Sequence, residues 1–124
     1  MLAIPLDTKE KTTLSKLFGN APYFALLDLQ TGQFRVIENE QCGNGGKSAA
    51  LLAQKGVKKT VFYYMGEGVY NELAKHGVEV YTSQHTVESI DAIYRAFLRS
   101  SYMKLDATNY KELLDSGSKS CSCK

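Results

Sequence analysis

The chain has 124 residues, enough to bury one hydrophobic core and too few for two. Its 15 basic and 13 acidic residues are spread along the sequence for a net charge of +2, which leaves no basic face for nucleic acid and no cluster for anionic lipid. Three cysteines make no disulfide framework, no apolar run nears the roughly 18 residues of a membrane span, and the apolar start Met1 to Leu6 is broken by Asp7 without a basic leader or cleavage site. The expected setting is therefore the reducing cytoplasm, with no membrane and no nucleic acid as partners.

In chain order, Leu2 to Leu6 reads as a buried strand stopped by Asp7 and Thr8, and Thr12 to Phe18 as a short helix or turn ending at Gly19-Asn20. Two apolar-rich runs, Tyr23 to Leu29 and Gln33 to Glu38, flank Gln30-Thr31-Gly32 and predict a hairpin. Ser48 to Lys55 places Ala49, Leu52 and Ala53 on one helical face, with Gly56 at the C-cap position. Lys59 to Met65 predicts a second buried strand. Gly66 and Gly68 then open a helix over Val69 to His76, Gly77 closes it, and Val78 to Tyr81 forms a short strand.

From Thr86 a longer helix carries Val87, Ile90, Ile93, Tyr94, Phe97 and Leu98 at helical spacing, with Glu88, Asp91, Arg95 and Arg99 on its solvent face. Beyond about Ser100, Asp106 is placed to cap a short helix bearing Tyr110, Leu113 and Leu114, and the serine- and glycine-rich run 116–120 is a flexible linker to Cys121-Ser122-Cys123. Residues 1–99 thus read as one domain and 100–124 as a helical extension with a cysteine-bearing tail. The element order predicts an α/β protein, an RNase H-like mixed sheet of about five strands with helices on both faces. With the first strand central, strand ends open on one sheet edge and collect Asp7 and Thr8, the Phe18 to Asn20 turn, Cys42 to Lys47, and Met65 to Gly68.

The run Gln41-Cys42-Gly43-Asn44-Gly45-Gly46-Lys47-Ser48 ends like a phosphate-binding loop, yet Gln41 stands where such a loop needs its first glycine. The apolar strand that should supply a magnesium-binding aspartate ends Tyr63-Tyr64-Met65-Gly66 instead. What remains is an anion site: glycines leading into a helix expose unpaired backbone N–H groups at its positive end. Gly66-Glu67-Gly68 repeats the arrangement, and Lys47 and Cys42 beside the first helix suit an anionic ligand that also accepts a thiolate. A metal-sulfur cluster is such a ligand.

Several segments in order resemble the dinitrogenase iron-molybdenum cofactor biosynthesis domain of nitrogenase accessory carriers and their small standalone relatives. They are the strand ending Asp7-Thr8, the run Phe18-Gly19-Asn20-Ala21-Pro22-Tyr23-Phe24, the Gly45-Gly46 helix start, and Leu52-Ala53-Gln54-Lys55-Gly56-Val57. Met65-Gly66-Glu67-Gly68, the run from Leu73 to Val80, and Thr86-Val87-Glu88 complete the set. The resemblance spans about residues 1–98 and implies an RNase H-like fold with a non-catalytic role in binding, carrying or assembling a metal-sulfur cluster or iron-molybdenum-type cofactor. A cluster-donor or acceptor protein would be its partner. Many members carry His before the Phe-Gly pair and Arg after it, where this chain has Leu17 and Asn20.

Cys42 is the natural substitute ligand for iron, copper or zinc, set against the plain reading of a small buried residue. Cys121 and Cys123 lie beyond the resemblance. Two thiolates do not complete a tetrahedral site, so as metal ligands they need Cys42 or a second chain; otherwise they form a redox couple or a solvated end. Gly43, Gly45, Gly46, Gly66 and Gly68 offer amides and Lys47 a charge, while Asp7, Thr8, Phe18, Gly19 and Asn20 complete the edge. His76 reads as a helix-end residue and His85 as an exposed loop residue. Asp7 and Asp28 could suggest a two-metal nuclease, but they should lie at opposite strand ends. A phosphate- or nucleotide-binding enzyme on the same edge, or a regulatory scaffold with a vestigial pocket, are the competing functions.

Overall fold

The computed structural model describes residues 1–8, 13–16, 18, 21–40, 45–83, 88–100, 102–106 and 108. Six strands, β1 (Leu2–Leu6), β2 (Tyr23–Leu27), β3 (Phe34–Glu38), β4 (Lys59–Phe62), β5 (Glu79–Thr82) and β6 (Met103–Lys104), form one sheet in the order β3-β2-β1-β4-β5-β6. β1 pairs antiparallel with β2 and parallel with β4, β4 parallel with β5, and the two outer pairs are antiparallel. Three helices complete the order, α1 (Gly45–Gln54), α2 (Glu67–Lys75) and α3 (Ile90–Leu98). This is the mixed α/β architecture expected, with one strand more.

Strand alternation sorts the core into two layers. Ala3, Phe24, Leu26, Phe62 and Val80 face α1 and α2, whose Ala49, Leu52, Tyr70 and Leu73 cover them. Leu2, Ile4, Leu6, Ala25, Leu27 and Val61 face the other way, against Ile90 and Ile93 of α3. Every residue of β1 is buried, as expected of a central strand covered on both faces. The one polar side chain inside β4, Thr60, is satisfied by donating to Ala3 O at 2.9 Å.

The glycine signals hold. Gly56 and Gly77, past α1 and α2, have φ of +83° and +78°, and Gly32 in the hairpin turn has +79°. Three expectations change. The stretch Thr12 to Phe18, read as a short helix or turn, is a turn only at its end, where Phe18 sits in a 3-10 turn; before it Thr13 bridges Ser89, Ser15 N–H donates to Pro5 O at 2.7 Å, and Tyr64 N–H donates to Lys16 O at 2.9 Å. It is an extended strap whose backbone bonds go to three separate elements. α3 starts at Ile90, because Ser89 Oγ caps it by accepting from Ala92 N–H at 3.1 Å while Glu88 O is already taken by Leu14 N–H. Thr86, the expected cap, lies outside the described residues.

Third, β6 extends the sheet past residue 99. Tyr102 anchors it, its ring 5.1 Å from that of Phe97 and its hydroxyl donating to the Glu88 carboxylate. Burial, then the bond to Glu88, holds the Tyr102 phenol above its usual range. Leu105 continues into the core at 3% exposure. Asp106 Oδ1 accepts from Thr108 N–H at 2.9 Å, in the manner of a cap, and the helix expected beyond it lies outside the described residues.

At the other end of β5, Glu79 accepts from the Tyr81 hydroxyl at 2.9 Å and faces Lys104 at 3.4 Å and Lys59 at 3.9 Å. The Tyr81 bond first, then the two ammonium groups, hold its carboxyl below the usual range against slight desolvation, while burial and Glu79 push the Tyr81 phenol up to about 12. A carboxyl whose folded pKa is depressed stabilises above its unfolded value of 4.5, and that support is lost as pH falls through the folded pKa. Because the Glu79 side chain is 41% exposed, screening keeps the contribution under about 1 kcal/mol. Glu79→Gln is expected to lower the urea midpoint slightly at pH 7, with the deficit shrinking as pH falls towards 3. A deficit independent of pH would assign the effect to packing.

Candidate functional site

Register places one set of strand ends together. Leu6 lies opposite Tyr23 and Tyr23 opposite Glu38, while β4 and β5 run parallel to β1. α1 follows the end of β3 and α2 the end of β4, so both helices begin at this edge and run back over the same sheet face. The edge therefore gathers Asp7 and Thr8, Phe18, the first turn of α1 with Gly45, Gly46 and Lys47, and Met65 to Gly68. Gly19, Asn20, Cys42, Gly43, Cys121 and Cys123 lie outside the described residues, as do Leu17 and His85.

The gathered side chains differ in what they offer. Asp7 is exposed, and its Oδ1 accepts from Ser15 Oγ at 2.6 Å, which ties the end of β1 to the strap. Thr8 is half-buried and Lys47 exposed. Phe18 is inside the core at 1% exposure, its ring 5.2 Å from that of Phe24 and its N–H donating to Tyr64 O at 3.2 Å. It supports the edge from beneath. Met65 is also buried, at 2%.

The two helix starts are electrostatically unequal. α1 has no acidic residue in its first turn, so its backbone N–H groups keep their partial positive charge. α2 carries Glu67 in its first turn and Gly66 as a cap without a side-chain bond. A Cβ added at Gly66 or Gly68 would meet nothing within 4 Å, and neither has a positive φ. Nothing among the described residues demands glycine at these two positions, while their bare backbone allows close approach from outside.

Beneath the α1 start lies a polar clasp that sequence reasoning missed. Asn39 and Ser48, 3% and 0% exposed, are hydrogen-bonded to each other, Nδ2 to Oγ at 3.0 Å and Oγ to Oδ1 at 3.2 Å. Asn39 Nδ2 also donates to Ala21 O at 2.8 Å, and Asn39 N–H to Pro22 O at 2.8 Å. A signal existed in the pattern: Ser48 falls on the apolar stripe of α1, four residues before Leu52, and a serine there needs a buried partner.

Other candidates separate. Asp28 lies past the Leu2↔Leu27 end of the sheet and Asp7 past the Leu6↔Tyr23 end, about 20 Å apart along the strand direction. No two-metal nuclease site joins them. His76 caps α2, with Nε2 3.3 Å from Glu72 Oε2, in the structural role expected of it. Among the described residues no three His, Cys, Asp or Glu side chains converge to hold a metal ion. No helix among the described residues is long and apolar enough to cross a membrane. Two cavities, of about 250 and 230 Å³, flank Phe34 at the hairpin end, away from this edge.

Comparison with known proteins agrees with this fold. The chain is similar over 112 residues, at 29% identity, to an uncharacterised protein of Methanocaldococcus jannaschii, covering 85% of this chain and 91% of that one. The NMR structure of TM1290 from Thermotoga superposes with a TM-score of 0.70 at 28% identity, covering 84% of this chain and 91% of that one. The apo form of the orange protein from Desulfovibrio gigas shares the fold with a TM-score of 0.74 at 19% identity, again covering 84% and 91%. The family described as dinitrogenase iron-molybdenum cofactor matches residues 1–100, and the chain belongs to that family.

Proposed function

We propose that the protein is a non-catalytic carrier that binds a metal-sulfur cluster or iron-molybdenum-type cofactor at the carboxyl edge of its sheet and passes it between a donor and an acceptor protein. The observation that carries this reading is the start of α1: a helix terminus with no acidic residue in its first turn, following the loop bearing Cys42, on the same sheet edge as two glycines at which an added side chain would meet no described residue within 4 Å. Anionic sulfur or oxygen atoms of the cargo accept from the Gly45 and Gly46 amides, Lys47 adds charge, and Gly66 and Gly68 let the cargo approach the backbone. Cys42 supplies a thiolate to iron, copper or molybdenum. Asp7, Thr8, Asn20 and Gly43 border the cargo, and Cys121 and Cys123 are further thiolates that a tail could bring to it. Membership of the family supports the cargo class, and the apo designation of the orange protein implies a ligand in that relative.

The test is elemental analysis with an absorption spectrum on untagged protein purified without oxygen, for wild type, Cys42→Ser and a chain ending at Ser116. Metal with sulfide and visible charge-transfer bands, lost in Cys42→Ser, is the expected result. Loss only on truncation would move ligation to Cys121 and Cys123. Wild type that stays metal-free and resists reconstitution with ferrous iron and sulfide would sink the carrier reading.

A further inference from the structure

Asn39 directly follows β3 and Ser48 lies in the first turn of α1, and these two buried residues are bonded to each other. The contact ties the start of α1 to the end of β3. The same Asn39 amide holds Ala21 O, and Ala21 N–H donates to Phe18 O at 3.3 Å, so the second border of the edge is tied to the same point. Neither residue reaches solvent, so neither touches a cargo itself.

We infer that Asn39 and Ser48 are positioning residues, a clasp that holds the two borders of the cargo site at a fixed separation before the cargo arrives. The inference rests on the carrier reading and adds the device that organises that site. Holding the start of α1 against the end of β3 removes conformational freedom that binding would otherwise have to remove, so the clasp acts on retention of the cargo more than on the choice of cargo. Charge at the edge is untouched by it.

Ser48→Ala is the variant of choice: it deletes one partner, leaves the Asn39 bond to Ala21 O, and places a good helix former in α1. The control is Ile93→Val, a mild core truncation on the opposite face of the sheet. Each protein is reconstituted with ferrous iron and sulfide, and release of iron to an excess of chelator is followed at a temperature where all remain folded. Ser48→Ala is expected to load and then release iron about tenfold faster than wild type, as for one lost buried hydrogen bond acting on the bound state, while Ile93→Val releases at the wild-type rate. Equal release by Ser48→Ala and wild type, or equal acceleration in both variants, would reduce the clasp to ordinary fold stability and overturn the inference. Failure of wild type to load is a separate outcome, which removes the carrier reading and this inference together.

Discussion

Phe18→Ala is expected to destabilise the domain by about 3–5 kcal/mol, the range for truncating a fully buried phenylalanine. The ring is 1% exposed and packs on Phe24, with Met65 and Ala21 in the same cluster, so its removal leaves a cavity directly below the carboxyl edge. The strap that would have to collapse into that cavity is pinned by the pair of backbone bonds to Tyr64, which limits relaxation and argues for the upper part of the range. Urea denaturation followed by circular dichroism measures it. A loss below about 1 kcal/mol would mean that the ring is not part of the core. Under the carrier reading the same variant, studied where it is still folded, loses cluster more readily than wild type.

Ile93→Ala is the counterpart on the other face, with an expected cost of about 2–5 kcal/mol. Ile93 is fully buried between α3 and the sheet residues Leu2, Ile4, Leu6 and Val61. Its cavity opens far from the helix starts, so cluster loading per folded molecule should match wild type. Taken together the two substitutions separate the layers of the protein: both weaken the fold, and only the one beneath the edge should disturb the cargo. If Ile93→Ala impaired loading as strongly as Phe18→Ala, the site would not be confined to the edge shared by α1 and α2.

Much of this architecture was legible because local signals and tertiary packing agree. The hairpin followed from Gln30-Thr31-Gly32 between two apolar runs, and the register Leu27↔Phe34 closes it there. Gly56 and Gly77 marked helix ends and take the positive φ that such ends require. What escaped was structure made only by distant partners. The strap lacks periodicity of its own, because its backbone groups are satisfied one at a time by Pro5, Tyr64 and Glu88. β6 is two residues long, shorter than any alternation can reveal, and is placed by Tyr102 and Leu105 on either side. Asn39 and Ser48 read as ordinary polar residues at a strand end and a helix start, and their meaning appears only once the fold brings them within 3.0 Å. The edge itself was readable because topology alone assembles it from successive strand ends.

The strap also sets a timetable. Leu14 N–H is satisfied by Glu88 O and Thr13 pairs with Ser89, residues far along the chain, so this stitching must await most of the synthesis. Contacts of high sequence separation form late because the intervening chain must first be ordered. The β1-β2-β3 meander can form early from neighbours in sequence, yet the edge beside it stays unfinished until the segment entering α3 has emerged. Under the carrier reading, a nascent or C-terminally truncated chain ending before Glu88 would present the glycine-lined edge without its strap, which would couple readiness for cargo to completion of the fold.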